Sequence, residues 1–168
     1  MMRLIRWVFL IVLLTGSADV FGMGGSLGIT QNQWIGKPAP GFILPTLTGQ
    51  KISFTEYRNG KRAIIFFWAT WCPHCREALE EINTQGLDFE KKEIAFVLVD
   101  VGETEKEVRA YVTRRKIKQN VFIDEDSEVS GRYGIIGVPT FFFVNSSGTV
   151  TAVEHYLPEN YEEILSKP

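Results

Sequence analysis

Cysteine and histidine are both scarce in this chain. Its 168 residues hold two cysteines, Cys72 and Cys75, and two histidines, His74 and His155. A staple between Cys72 and Cys75 would close a very small loop, where loop-closure entropy contributes least. A structural zinc site needs four ligands, commonly two cysteine pairs or cysteines plus histidines at set spacing. No second pair exists here, and His155 is the one histidine outside the motif, so no metal is expected. An excess of positive charge is also missing: 18 basic against 20 acidic residues give a net charge of -2. That excludes the basic face a nucleic-acid partner requires, and Arg114-Arg115-Lys116 reads as a solvated helix end. Internal repeats and low-complexity tracts are absent. What remains is room for one leader and one globular domain with a real core.

The N-terminus indicates where that domain works. Arg3 and Arg6 precede the uninterrupted apolar run Trp7–Leu14, and Thr15-Gly16-Ser17-Ala18 supplies small residues. This is the positive start, short apolar middle and small-residue exit of a secretory signal. Eight apolar residues in helix reach about 12 Å, well short of a ~30 Å hydrocarbon core. Residues 1–22 are therefore expected to form a signal peptide, cleaved after Ala18 or Gly22. If retained, residues 7–14 would serve as a membrane tether. No cysteine follows the run, which excludes a lipid-anchored lipoprotein. Residues 23–35, beginning MGGSLG, read as a linker, and residues 36–168 as the domain, placed outside the cytoplasm and facing the periplasm.

Along that domain the hydrophobic period alternates between strand and helix. Phe42–Leu47 and Lys51–Phe54 flank Thr48-Gly49-Gln50 and read as a hairpin. Arg62–Trp68 is apolar after its first residue, as in a strand buried on both faces. From Pro73 to Gln85 the pattern turns helical, with Cys75, Leu79 and Ile82 on one face and Glu77, Glu80 and Glu81 off it. Ile94–Val99 is a second buried strand. Thr104–Lys116 is an amphipathic helix, acidic at its start and basic at its end as the helix dipole favours. A short strand at Val121–Ile123, a short helix at Ser127–Tyr133, a hairpin of Thr140–Asn145 with Thr149–Glu154, and a helix over Glu159–Ser166 complete the chain. The order gives an α/β fold: a mixed sheet, parallel at its centre with an antiparallel edge, flanked by helices and preceded by an extra hairpin.

Two thiols two residues apart, at the junction of a buried strand and a helix, suit redox chemistry. Pro73 is favoured at a helix's first position. Cys72 is thus placed at a helix N-terminus, where free N–H groups and the dipole favour a thiolate. Cys75 follows one turn later on the same face and can attack a mixed disulfide formed at Cys72. These positions make Cys72 the nucleophile and Cys75 the resolving thiol. His74 adds a titratable positive charge that would lower the Cys72 pKa and make the disulfide more oxidising; the alternative is a solvated helix residue.

Trp68-Ala69-Thr70-Trp71-Cys72-Pro73-His74-Cys75-Arg76 after a buried strand resembles the active site of thioredoxin-like proteins. It is most similar to extracytoplasmic thiol–disulfide oxidoreductases of the ResA/TlpA/CcmG type, within the redoxin, AhpC/TSA-like group. The resemblance runs from about Gly36 to the C-terminus. Lys37-Pro38-Ala39-Pro40-Gly41-Phe42 matches the opening segment, and Gly137-Val138-Pro139-Thr140 followed by Phe-Phe-Phe-Val-Asn matches the second active-site loop. The resemblance implies a cis Val138–Pro139 bond beside Cys72, with Trp71, Val138 and Pro139 contacting substrate. It implies a monomer without cofactor, exchanging disulfides with exported proteins and recycled by a membrane redox partner. Two positions depart from the pattern. Phe66 stands where many relatives carry an acidic or polar residue on the strand, and Ala78 where a glutamate follows the second cysteine. Two alternatives stay open: a peroxiredoxin-like peroxide reductase, and a metallochaperone holding Cu(I) on two thiolates.

Overall fold

The computed structural model describes residues 31–84 and 89–168. The leader, most of the linker and Gln85 at the end of the expected first long helix lie outside the described residues. Among the described residues no helix is long and apolar enough to cross a membrane.

Five strands form the main sheet: β3 (Arg62–Trp68), β4 (Ile94–Val101), β5 (Asn120–Asp124), β6 (Thr140–Val144) and β7 (Val150–Glu154). Their order is β5-β4-β3-β6-β7. The β3–β4 and β4–β5 pairs are parallel, and β6 and β7 are added antiparallel on the other side. A separate antiparallel pair, β1 (Ile43–Pro45) with β2 (Lys51–Ser53), is the expected N-terminal hairpin. Among the described residues, five α-helices complete the fold: α1 (Phe54–Arg58), α2 (Pro73–Thr84), α3 (Glu105–Arg115), α4 (Glu128–Tyr133) and α5 (Tyr161–Leu165).

The sheet has an apolar layer on each face, which is why β3 reads as a continuous apolar run rather than an alternating one. Ile64, Phe66 and Trp68 point into the layer shared with Cys75, Leu79 and Ile82 of α2, Val108 and Tyr111 of α3, and Ile164 and Leu165 of α5. Ala63, Ile65 and Phe67 point the other way, against Phe42, Leu44, Phe54, Val129 and Tyr133. Every residue from Ala63 to Trp68 is without solvent exposure, and each large side chain so buried contributes about 1.5–3 kcal/mol. Strand β3 is therefore the rigid platform from which the Cys72 turn projects.

Three local features differ from the sequence expectation. Phe54 does not continue the hairpin but opens α1: Ser53 caps that helix, accepting from the Glu56 N–H, and Phe54 stacks on Phe42 at 5.0 Å. A Ser followed three residues later by Glu is a helix-start signal, and it outweighs the β preference of Phe54. Gln31–Trp34 forms a short 3-10 turn, and Ile35 and Pro38 bridge to Val150 of β7 and to Thr149 just before it. Strand β4 runs on to Val101, two residues beyond the apolar run. Elsewhere the boundaries move by one or two residues. Thr104, for example, is the cap of α3 rather than its first residue, in a reciprocal capping box with Glu107.

Candidate active site

The site is assembled at the carboxyl ends of the parallel strands. After Trp68 the chain turns through Ala69, Thr70 and Trp71, and the Cys72 N–H donates to the Ala69 carbonyl at 3.2 Å. Helix α2 then begins at Pro73. The sulfurs of Cys72 and Cys75 are joined in a disulfide with a Cα–Cα distance of 5.3 Å. The Cys75 N–H donates to Cys72 Sγ at 3.0 Å. A helix N-terminus thus directs an otherwise unused donor at the first sulfur, as its four orphan N–H groups allow. Cys75 is fully buried in the α2 layer, and Cys72 is 3% exposed at its rim.

The second loop reaches the pair from the far side of β3. The Val138–Pro139 bond is cis, and the Val138 carbonyl oxygen lies 3.6 Å from Cys72 Sγ. Thr140 fixes this loop by donating its hydroxyl to the Gly137 carbonyl at 2.8 Å. His155, at the end of β7, holds it as well: Nδ1 lies 2.9 Å from the Pro139 carbonyl oxygen. That contact requires Nδ1 to carry the proton, because a carbonyl only accepts. Trp71 on the first loop is 68% exposed and Ile136 on the second is 86% exposed. The disulfide is therefore rimmed by apolar side chains open to a partner.

His74 faces solvent. Its Nδ1 lies 3.1 Å from Glu77 Oε2, one turn along α2. Phe66, at the position where relatives carry a polar group, is wholly buried and stacks on its register partner Phe141 with ring centroids 4.0 Å apart. Ala78 packs against the same layer. Neither position offers a proton carrier.

Two acidic residues that carried no role in the sequence reading lie close by. Glu103, in the loop between β4 and α3, accepts from both the Thr70 N–H at 2.5 Å and the Thr70 hydroxyl at 2.6 Å. It fixes the turn that presents Cys72. Asp100, on β4, is the register partner of Trp68, has no solvent exposure, and interacts with both the side chain and the backbone N–H of Glu103. Burial pushes its carboxyl up to about 8, and the negative charge of Glu103 adds to the rise. The signal was present in IAFVLVD, where an acid continues the alternation of Ile94, Phe96 and Leu98, but a charge at the end of an apolar run reads as the strand's exit.

A sulfur pair joined across one helical turn, with a cis-proline loop against the first sulfur, is arranged for two-electron exchange with other thiols and disulfides. The class is thiol–disulfide oxidoreductase. The chain belongs to the AhpC/TSA family, whose model matches residues 35–153. Among curated relatives it is 30% identical to the thiol-disulfide oxidoreductase ResA of Bacillus cereus, over 98% of this chain and 96% of that protein. Among solved structures it is 28% identical to a thiol:disulfide interchange protein of the thioredoxin family from Chlorobium tepidum, with a TM-score of 0.61 over 76% of this chain and 92% of that one. The thioredoxin domain of a Bacteroides vulgatus thiol-disulfide oxidoreductase superposes with a TM-score of 0.68 at 22% identity, over 77% and 94% of the two chains. The fold is thioredoxin-like.

Proposed function

We propose that this oxidoreductase works outside the cytoplasm and exchanges disulfides with other exported proteins, Cys72 making the bond to substrate and Cys75 resolving it. The observation that carries the reading is the Cys75 N–H aimed at Cys72 Sγ at 3.0 Å, which stabilises negative charge on that sulfur and not on the other. A substrate thiolate attacks Cys72 Sγ, the Cys72–Cys75 bond breaks, and its electron pair leaves with Cys75. A second substrate thiolate then attacks the substrate sulfur of the mixed disulfide and expels Cys72. Substrate is oxidised by two electrons and the protein reduced; the reverse sequence reduces a substrate disulfide. The backbone of Val138 and the open face of Trp71 are suited to hold an extended substrate segment beside Cys72. The leader sequence supports the location, and a membrane redox partner would restore the starting state.

The peroxide-reductase reading is weaker. Thr70, the one hydroxyl beside Cys72 in the turn, is committed to Glu103, and the first sulfur has its resolving partner only three residues away.

Cys75→Ser removes the resolving attack and leaves Cys72 reactive. Pull-down of this variant from the cell envelope should yield covalent adducts with exported proteins, released by dithiothreitol. A yield no greater than that of Cys72→Ser would contradict the exchange reading.

A further inference from the structure

Strand β6 begins at Thr140, and the residues just before it lie beside the first sulfur. The last register pairs are Phe67 with Thr140 on the β3 side and Phe141 with Glu154 on the β7 side. Val138 and Pro139 lie beyond both ladders. Proline has no N–H to give. Among the described residues, the Val138 N–H and carbonyl make no backbone–backbone hydrogen bond either. A segment so poor in ladder bonds needs other anchors if it is to keep one shape.

Two side chains supply them, one on each side of Val138. The Thr140 hydroxyl donates to the Gly137 carbonyl at 2.8 Å. His155, the residue after β7, donates from Nδ1 to the Pro139 carbonyl at 2.9 Å. The two anchors are linked, because Thr140 Oγ1 also lies 3.4 Å from the same ring nitrogen. With its one proton spent on Gly137, that hydroxyl oxygen can only accept from the imidazole. The carbonyls before and after that of Val138 are therefore both tied. Held between them is the Val138 carbonyl, 3.6 Å from Cys72 Sγ.

We propose that His155 is a positioning residue for extended substrates: its Nδ1–H fixes the Val138 backbone in the orientation that pairs with a peptide chain joined to Cys72. This rests on the exchange reading above and adds the group that keeps the pairing edge formed before substrate arrives. An edge ordered in advance loses less conformational freedom on binding. A loose one would have to be ordered at each encounter. The effect is selective. A peptide that hydrogen-bonds to Val138 needs that edge, whereas a small disulfide that meets Cys72 alone does not.

The chemistry also dictates the form of the histidine. A neutral imidazole carries its proton on one nitrogen, and a carbonyl only accepts. Neutral His155 must therefore rest as the Nδ1–H tautomer, with Nε2 bare. Asparagine can replace this donor, since its amide nitrogen stands as many bonds from the backbone as Nδ1. Phenylalanine keeps a ring but donates nothing.

Two measurements on the full chain test this. The first uses the reduced protein and two probes with one leaving group. One probe is 5,5′-dithiobis(2-nitrobenzoate); the other is a short unstructured peptide whose single cysteine carries thionitrobenzoate. The Cys72 thiolate attacks the disulfide of either probe and expels thionitrobenzoate, the better leaving group, so one chromophore reads both rates. His155→Phe should lower the peptide rate roughly five- to ten-fold, the scale of one hydrogen bond. The rate with the small probe should stay within about two-fold. His155→Asn should bring the peptide rate back to within about two-fold of wild type. Equal losses with both probes, no loss with the peptide, or no rescue by asparagine would overturn the proposal. The second measurement needs no variant. Nitrogen-15 NMR of the neutral histidine side chains in wild-type protein should show His155 protonated at Nδ1 and bare at Nε2. The opposite tautomer would also overturn it. If wild-type protein releases no chromophore from either probe, it is the exchange reading that fails.

Discussion

Two aspartates stand near the ends of adjacent parallel strands, both without solvent exposure, and the protein treats them in opposite ways. Asp124, closing β5, is paired in register with Val101 on the α4 face of the sheet. Its carboxyl oxygens accept from the Val129 and Ser130 N–H groups at 3.0 and 2.7 Å, so its negative charge meets a helix start. Asp100, on β4, is one residue out of step with Asp124 and faces the disulfide layer. It faces the backbone N–H and the carboxyl of Glu103. The contrast teaches that burial alone does not give a carboxylate its role. A buried acid with two backbone donors is a fastening, whereas one set against a second carboxylate in a dry layer is held neutral.

Substitution breaks the comparison, and the largest effect should come from Asp100. The folded-state pKa of Asp100 is raised from 3.8 to about 8. The unfolded chain therefore ionises this group over a pH range in which the fold cannot. Its contribution to stability is complete below about pH 4 and is lost progressively as pH rises to about 8. Asp100→Asn removes that loss. At one unit per 1.36 kcal/mol, it should stabilise the oxidised protein by on the order of 5 kcal/mol at pH 8.5 and by almost nothing at pH 4. Urea unfolding at the two pH values reads this directly, and equal stabilisation at both would mean that the carboxyl is not neutral in the fold.

Asp124→Ala should act in the other direction. It leaves two buried N–H groups unpaired at the start of α4, and stability at pH 7 should fall by roughly 2–3 kcal/mol. A loss under about 0.5 kcal/mol, the range of an ordinary surface change, would show that water or a neighbour replaces the carboxylate and would dissolve the contrast.

The smallest effect concerns an exposed charge. His74 sits next to Cys72 in sequence but faces solvent and spends its Nδ1 on Glu77. Its positive charge should still favour the Cys72 thiolate and raise the reduction potential above thioredoxin's value of about -270 mV. His74→Pro should lower the potential by about 10–30 mV, less than a buried group would. Equilibration with glutathione measures it, and no shift would make His74 a solvated bystander.

Much of this was legible in the amino-acid order. Strand β3 announced itself through a run apolar on every residue, and α2 through Cys75, Leu79 and Ile82 at helical spacing behind Pro73. Those two elements place the sulfurs. The cis Val138–Pro139 loop followed from its motif. What escaped was set by contacts between distant segments. Glu103 holds Thr70 across the sheet's end, and no periodicity marks such a residue. Asp100 looked like the polar exit of a strand, because its burial is set by tertiary packing that sequence spacing does not reveal. Helix α1 was missed for a local reason: Phe54 was read for its β preference, while the Ser53–Glu56 cap signal beside it prevailed. Glu77 was read correctly as exposed, but its contact with His74 depends on side-chain placement that spacing alone leaves open.

If Cys72 exchanges and Cys75 resolves, differential alkylation of the reduced protein must separate the two sulfurs. Iodoacetamide is added across a pH series, and peptide mass spectrometry assigns the modification to each cysteine. Cys72 should be modified near neutral pH, well before a free thiol of pKa about 8.5, while Cys75 stays almost inert until the protein unfolds. Equal rates at the two sulfurs, or faster reaction at Cys75, would contradict these roles.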